Sequence, residues 1–95
     1  MENRIIASMK YRRVLEFYYE GKPRTVNPHA LLRKSPGNLV LHGWQTAGAS
    51  KTRTPPCWGN FNLDKIVGLE ITEEAFLGAE PGFNRKRFRD VIYSL

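Results

Sequence analysis

Hydrophobic and polar side chains alternate along most of the chain, and this period of two is that of β-strands rather than helices. The alternating stretches predict strands over residues 12–19, 24–33, 38–45, 58–63 and 66–72. Gly21 and the Pro36-Gly37 pair predict tight turns after the first two strands. Because such short connections cannot hold the crossover that parallel strands need, we expect a small, strongly bent antiparallel sheet or barrel.

Helical spacing occurs at the two ends of the chain. Residues 3–10 place Ile5 and Met9 on one face and predict a short N-terminal helix. An apolar stripe at the i, i+3, i+4, i+7 spacing predicts an amphipathic C-terminal helix over residues 85–95, with Asn84 as its cap. Cations fill the first half of that segment and oppose a helix dipole, so helix stability alone does not explain their placement.

Length and charge indicate one small basic domain. The 95 residues are expected to form a single domain over residues 1–95 around one core. The net charge of +6 is uneven, because the first 53 residues carry ten basic and three acidic side chains, whereas residues 54–84 carry one and five. Such a polarised field favours anionic partners. The alternative is that surface cations only keep the protein soluble.

Cysteine usage and hydrophobicity bear on the compartment. Cys57 is the single cysteine, so no internal disulfide can form, and this fits a reducing compartment. No stretch approaches the roughly 20 apolar residues of a membrane-spanning helix, and the N-terminus lacks the apolar run of a signal peptide. We therefore expect a cytoplasmic protein with no membrane partner.

The order of four short motifs resembles that of the WYL domain family. The motifs are an F-x-Y strand, an R-x-V-x-P-H strand, a Gly-led strand and an F-x-L-D-x-I strand, at residues 17–19, 24–29, 37–44 and 61–66. The sequence departs from the family at residues 39–41, which read Leu-Val-Leu in place of Trp-Tyr-Leu. The resemblance implies an Sm-like small β-barrel of about five strands. It also implies a role in binding or sensing a ligand or nucleic acid, as in bacterial transcription regulators and phage-defence proteins.

Candidate binding side chains gather at the end of the third predicted strand and in the loop predicted over residues 46–57. His42 and Trp44 share a strand face on which a base could stack, with ordinary core packing as the alternative. Cations beside an aromatic ring are typical of small barrels that bind single-stranded nucleic acid, although each cation alone is more simply a solvated loop residue. The predicted ligand-binding residues are Arg24, His29, His42, Trp44, Gln45, Ser50, Lys51, Arg53 and Trp58.

Two of these predictions depend on how the sheet bends. His29 could bind a phosphate or a base edge, and the alternative is a structural histidine bonded to backbone. Arg12, Arg13 and Arg33 would join Arg24 in one basic patch if curvature brings them together, and otherwise they are dispersed surface charge.

Catalysis has little support in the sequence. Cys57 follows two prolines and lacks a surrounding signature of a nucleophile. Two histidines and one cysteine do not show metal-ligand spacing, and no glycine-rich phosphate loop is present, so we expect neither metal nor cofactor. The expected function is a non-enzymatic WYL-type module that binds an anionic ligand, a nucleic acid or nucleotide. The alternative is a protein-interaction module that forms a homo-oligomer or docks on a larger regulator through strand edges and the apolar helix stripe.

Overall fold

The computed structural model describes residues 1–51 and 53–95, and within them the chain forms one α-helix, six strands and two 3-10 turns. The elements are α1 (Glu2–Lys10), β1 (Arg13–Tyr19), β2 (Lys22–Ser35), β3 (Asn38–Gly48), β4 (Cys57–Asn62), β5 (Ile66–Ala75) and β6 (Val91–Ser94). The 3-10 turns are Leu63–Lys65 and Arg85–Arg87. Thr52, in the loop predicted over residues 46–57, lies outside the described residues.

Strand β2 is the centre of the sheet. β3 pairs with one of its edges from Arg24 to Ser35. The other edge is shared, because β1 pairs with β2 up to Val26 and β6 pairs with it from Ala30 onward. Pro28 lies between these two ladders, where it has no N–H to donate, and the β2–β3 register shifts directly after it. The strand order is therefore β4-β3-β2-β1-β5, with β6 beside β2.

The two ends of the sheet approach each other without pairing. β4 and β5 lie at opposite ends of the strand order, yet the three-residue turn Leu63–Lys65 connects them, so the sheet must curl strongly. Side chains connect β4 to β1, the neighbour of β5: the Asn62 backbone N–H donates to the Tyr19 hydroxyl at 3.0 Å. The Phe61 ring also packs edge-on against Phe17 and Tyr19, each at 5.1 Å between centroids.

The predicted Sm-like β-barrel is therefore wrong. Among the described residues, no ladder pairs β4 with β5, and the antiparallel sheet stays open. β4 instead contacts β1 through aromatic packing and one side-chain hydrogen bond.

The predicted C-terminal amphipathic helix is also wrong. Residues 85–95 form a single 3-10 turn and then strand β6, whose first three residues, Val, Ile and Tyr, have high strand propensity. Asn84 does act as a cap, since its side-chain oxygen accepts from the Lys86 N–H at 3.1 Å. The strand is favoured because β2 beyond Pro28 has a free edge whose backbone groups need partners.

The strands predicted from alternation lie close to where the structure has β1 to β5. Glu20 and Gly21 form the two-residue turn between β1 and β2, with φ values of 54° and 75°. Two consecutive positive φ values match the right-handed twist of a tight hairpin. β5 extends to Ala75, three residues beyond the end of the predicted strand over residues 66–72.

Helix α1 covers one side of the curled sheet. Its Ile5 and Met9 are fully buried, and they belong to one hydrophobic cluster with Leu15, Leu31 and Leu41 from the three central strands. No helix within residues 1–51 or 53–95 is long and apolar enough to cross a membrane.

Replacing Gly43 with alanine tests the β2–β3 register. The new Cβ would lie 2.5 Å from Val26 Cγ1 and 2.9 Å from the Asn27 carbonyl oxygen. We expect a loss of about 1–3 kcal/mol in the free energy of unfolding, which is usual for an overpacked core. Urea denaturation measures it, with Thr46→Ala on the exposed end of β3 as a control that changes by less than about 0.5 kcal/mol. An unchanged stability for Gly43→Ala would contradict this register.

Candidate functional site

A cavity of about 640 Å³ opens between the curled sheet, the β3–β4 loop and the C-terminal segment, and its lining side chains form three groups. Buried side chains form the floor: Tyr19, Arg24, Gln45 and Phe61. Packed rings form an aromatic wall: His42, Trp58, Phe83 and Phe88. Exposed cations lie at the mouth: Lys51, Arg53 and Arg87. A volume of this size falls within the range of small-molecule pockets, roughly 300–1,000 Å³.

Arg24 is a buried cation with incomplete pairing. It is 6% exposed, and its guanidinium carbon lies 5.6 Å from the Tyr19 ring centroid and 5.9 Å from that of Phe61. Its Nη2 donates to the Tyr19 carbonyl oxygen at 3.4 Å, which is long for a hydrogen bond. Its Nε has no hydrogen-bond partner among the described residues. A buried guanidinium in this state carries an uncompensated desolvation cost.

The acidic neighbour of Arg24 compensates it weakly. Glu20 Oε1 lies 3.6 Å from Arg24 Nη2, and the Glu20 side chain is 43% exposed. Water screens a carboxylate this exposed, so the pair contributes little. The Glu20 side chain can also turn toward solvent, which leaves the guanidinium available to another anion.

His42 is enclosed within the aromatic wall. Its ring stacks on Trp58 at 4.8 Å between centroids with 13° between planes, and Phe88 covers it at 4.6 Å with 49°. Phe83 lies 6.0 Å from Trp58 and 6.3 Å from Phe88, and it extends the wall toward the mouth. Since the His42 faces are covered, the half-buried rings of Trp58, Phe83 and Phe88 are the surfaces on which a planar ligand could pack.

The neutral form of His42 is favoured. Its Nδ1 lies 2.9 Å from Asn60 Oδ1, so Nδ1 carries the proton and Nε2 keeps its lone pair. Burial lowers the pKa of His42; the bond to Asn60 acts in the opposite direction, and the charges of Lys34 and Arg87 lower the pKa further. At neutral pH this side chain therefore offers a hydrogen-bond acceptor rather than a cation.

His29 lies behind the aromatic wall and does not line the cavity. Its Nε2 accepts from the Glu80 N–H at 2.9 Å, and its Nδ1 donates to the Asn27 carbonyl oxygen at 2.8 Å. The ring also packs edge-on against Trp58 and Phe83, at 5.0 and 5.1 Å between centroids. Because it is fully buried and both nitrogens are used, His29 fixes the C-terminal segment and does not contact a ligand in this conformation.

The pKa of His29 shifts in the same direction as that of His42. Burial lowers the pKa of His29, the bond to Asn27 raises it by less, and the charges of His42 and Arg12 lower it further. Burial therefore favours the neutral form of both histidines, and the bond that His29 Nε2 accepts from the Glu80 N–H requires a neutral ring.

The structure brings most of the predicted site together. Of the nine predicted residues, the cavity is lined by Arg24, His42, Gln45, Ser50, Lys51, Arg53 and Trp58. His29 and Trp44 do not line the cavity; Trp44 packs edge-on against Trp58 at 5.0 Å between centroids. Gln45 has a structural role as well, since its Nε2 donates to the carbonyl oxygens of Ala47 and Ala49 at 3.1 and 2.7 Å.

The predicted arginine patch does not form as one surface. Arg12 donates from Nη1 to the Met9 carbonyl oxygen, and Arg13 donates from Nη1 to that of Glu73, each at 2.6 Å. Arg33 lies 3.9 Å from Asp90. Arg24 alone among these four arginines lines the cavity.

The sequence reasoning missed much of the cavity. Phe83 and Phe88 of the wall were not predicted, and Phe88 was assigned to the apolar stripe of a helix. The basic run over residues 85–89, which contains Arg87, was a second candidate for anion binding, with the solvated face of that helix as the alternative. The unusual run of cations at the start of that segment was the available signal. Tyr19 and Phe61, at the floor, read from alternation as ordinary core positions.

Within the part of the chain that the structure describes, no group of three or more His, Cys, Asp or Glu residues could hold a metal ion. Cys57 is buried, and its Sγ lies 4.0 Å from the Ser50 hydroxyl oxygen. Comparison with family models, with curated proteins and with solved structures gave no match to this chain.

Lowering the pH should destabilise the fold before the carboxylates titrate. Both histidines have a folded-state pKa below the unfolded value of about 6.5, so the unfolded chain binds protons first as pH falls. Stability is full above pH ~6.5 and decreases below it, by at most about 1.4 kcal/mol per pH unit for each histidine. Urea denaturation between pH 7.5 and 5.5 (~2 units, a window that brackets the unfolded pKa) measures this.

A His29→Gln variant is the control, because glutamine can both donate and accept but does not titrate. We expect a smaller pH dependence for this variant than for the wild-type protein. An equal pH dependence for the two would contradict a neutral, buried His29.

Proposed function

We propose that this chain is a non-enzymatic, WYL-type binding module that takes an anionic ligand, a nucleic acid or nucleotide, in the cavity. We further propose a cytoplasmic role in bacterial transcription regulation or phage defence, in keeping with the lone cysteine and with the resemblance of the motif order to the WYL family. The geometry supports the ligand, and the resemblance supports the biological setting.

One observation carries the proposal. The Arg24 side chain is 6% exposed at the floor of an open cavity, and its Nε is unpartnered within the described residues. Buried charges are normally paired and fully hydrogen-bonded, because the desolvation cost is otherwise not offset. An anion on the guanidinium would supply the missing bonds, and Arg suits planar carboxylate or phosphate groups.

The rest of the lining favours a nucleotide over other anions. Cations at the mouth and half-buried rings beside them combine phosphate contacts with stacking surfaces. A base can enter this cavity only if it is unpaired, since a base in a duplex remains stacked between its neighbours. The proposal therefore names single-stranded nucleic acid or a free nucleotide.

Salt and the mouth cations test this proposal. Fluorescence anisotropy with a short single-stranded oligonucleotide should show binding that weakens as salt rises from about 50 to 200 mM, because phosphate contacts release counterions. Arg87→Ala should weaken binding and reduce the log–log salt slope by about 0.7–1, as expected for one lost phosphate contact. Arg89→Ala is the matched control, since Arg89 is exposed in the same segment but does not line the cavity.

The Arg89→Ala protein should bind like the wild type. Affinity that is independent of salt, or that falls equally for both arginine variants, would overturn the cavity as the binding site.

The Glu20 carboxylate should compete with the ligand for Arg24. Its removal in Glu20→Gln is expected to tighten oligonucleotide binding by about fivefold, which corresponds to roughly 1 kcal/mol between unit charges about 4 Å apart in water. Glu16→Gln changes the net charge equally on an exposed side chain that does not line the cavity, so it is the control. The same anisotropy titration measures both. Equal tightening in the two variants would indicate a general charge effect and contradict competition at Arg24.

A protein-interaction module is the second candidate. The apolar helix stripe that suggested it is absent, because β6 replaces that helix. The observation in its favour is that, among the described strands, β4 and β5 each have a neighbour on one edge only. Light scattering separates the candidates: a stable dimer that does not bind oligonucleotides would favour the interaction module.

A further inference from the structure

The side chains at the floor, wall and mouth of the cavity differ in solvent exposure, and this difference restricts the orientation in which a nucleotide can enter. Arg24 at the floor is 6% exposed, the rings of Trp58 and Phe83 are half-buried, and Lys51 and Arg53 at the mouth are exposed. A positive charge therefore lies deepest, aromatic surface lies next, and further positive charge lies outermost. This order rests on the same cavity as the proposed function and narrows its ligand.

An internal phosphodiester does not match this order. It carries a sugar on both sides, so it can reach a buried guanidinium only if two nucleotides enter the cavity with it. The cavity, at about 640 Å³, is of the size that holds one small ligand. A phosphate at the end of a nucleotide has one substituent and can enter first, with its sugar and base following toward the mouth.

We propose that the cavity binds the terminal phosphate monoester of a nucleotide, with the phosphate on Arg24 and the base against the half-buried rings of Trp58 and Phe83. A free mononucleotide and the phosphorylated end of a single strand share this chemistry. No bond forms or breaks in the process. The phosphate accepts hydrogen bonds from the guanidinium, whose Nε lacks a partner among the described residues.

The surrounding charges are consistent with a dianion at this position. Lys51, Arg53 and Arg87 line the cavity and, together with Arg24, provide four cations to balance a terminal phosphate and the next phosphate along a strand. Glu20 is the opposing charge, and its 43% exposed side chain can move into solvent when a phosphate takes its place. His42 is neutral and can accept a hydrogen bond from a sugar hydroxyl or a base amine.

The experiment compares ends of one oligonucleotide. Anisotropy is measured for a short single strand bearing a 5′-phosphate, a 3′-phosphate or hydroxyls at both ends, with the dye attached to an internal base. We expect at least one phosphorylated end to bind about tenfold or more tightly than the hydroxyl form, as hydrogen bonds to a charged group predict. Competition by adenosine 5′-monophosphate, by adenosine and by inorganic phosphate then identifies which parts of the nucleotide contribute.

The competitors separate the two sources of a terminal phosphate. If adenosine 5′-monophosphate competes as well as the unlabelled phosphorylated strand, the site binds free nucleotides. If the phosphorylated strand competes more strongly, the site binds strand ends. Either result supports the proposal, provided that adenosine alone and inorganic phosphate alone compete at least about tenfold less well.

An Arg24→Gln variant should reduce the preference for a phosphorylated end to less than about twofold, whereas Arg13→Gln, on a strand arginine that does not line the cavity, should preserve it. The wild-type comparison of ends stands even if the Arg24 variant fails to fold. Equal affinity for phosphorylated and hydroxyl ends overturns this proposal and leaves the proposed function intact. If no probe binds, both this proposal and the proposed function are contradicted.

Discussion

The shared edge of strand β2 is the constraint on which the rest of the structure depends. β3 occupies one side of this strand from Arg24 to Ser35, while the other side passes from β1 to β6 on either side of Pro28. Pro28 lies opposite Gly43 of β3, in the stretch of β2 that neither β1 nor β6 pairs. The β2–β3 register shifts directly after Pro28, and the hairpin that carries Arg24 and the C-terminal segment both line the cavity.

Strand β2 carries two buried polar side chains that differ in how completely they are hydrogen-bonded. His29, directly after Pro28, is fully buried, and both its ring nitrogens are bonded, to Asn27 and Glu80. Arg24, before Pro28, is nearly as buried but keeps an unpartnered Nε among the described residues. The first arrangement stabilises the fold and holds the C-terminal segment in place. The second carries a cost within the fold, and a bound anion would offset it.

The apolar pattern predicted β1 to β5 well because that signal is local to each strand. The C-terminal segment could not be assigned locally, since Val91 and Ile92 fit a helical stripe and a strand equally. The free edge of β2 favours a strand in this segment, and that edge can be identified only once the neighbours of β2 are known. Most of the predicted site came together because Lys51, Arg53 and Trp58 follow β3 closely in the chain, whereas the cavity's C-terminal wall depended on the misassigned segment.

The most direct test of the account is the side-chain Nε–Hε resonance of Arg24, followed by nuclear magnetic resonance in isotope-labelled protein and assigned with an Arg24→Lys spectrum. The account predicts that this resonance shifts and saturates as adenosine 5′-monophosphate is added, in parallel with the indole resonance of Trp58, because the buried guanidinium gains its missing partner. An Arg24 resonance that stays unchanged at saturation, while resonances of the mouth residues move, would contradict a ligand anion at the cavity floor.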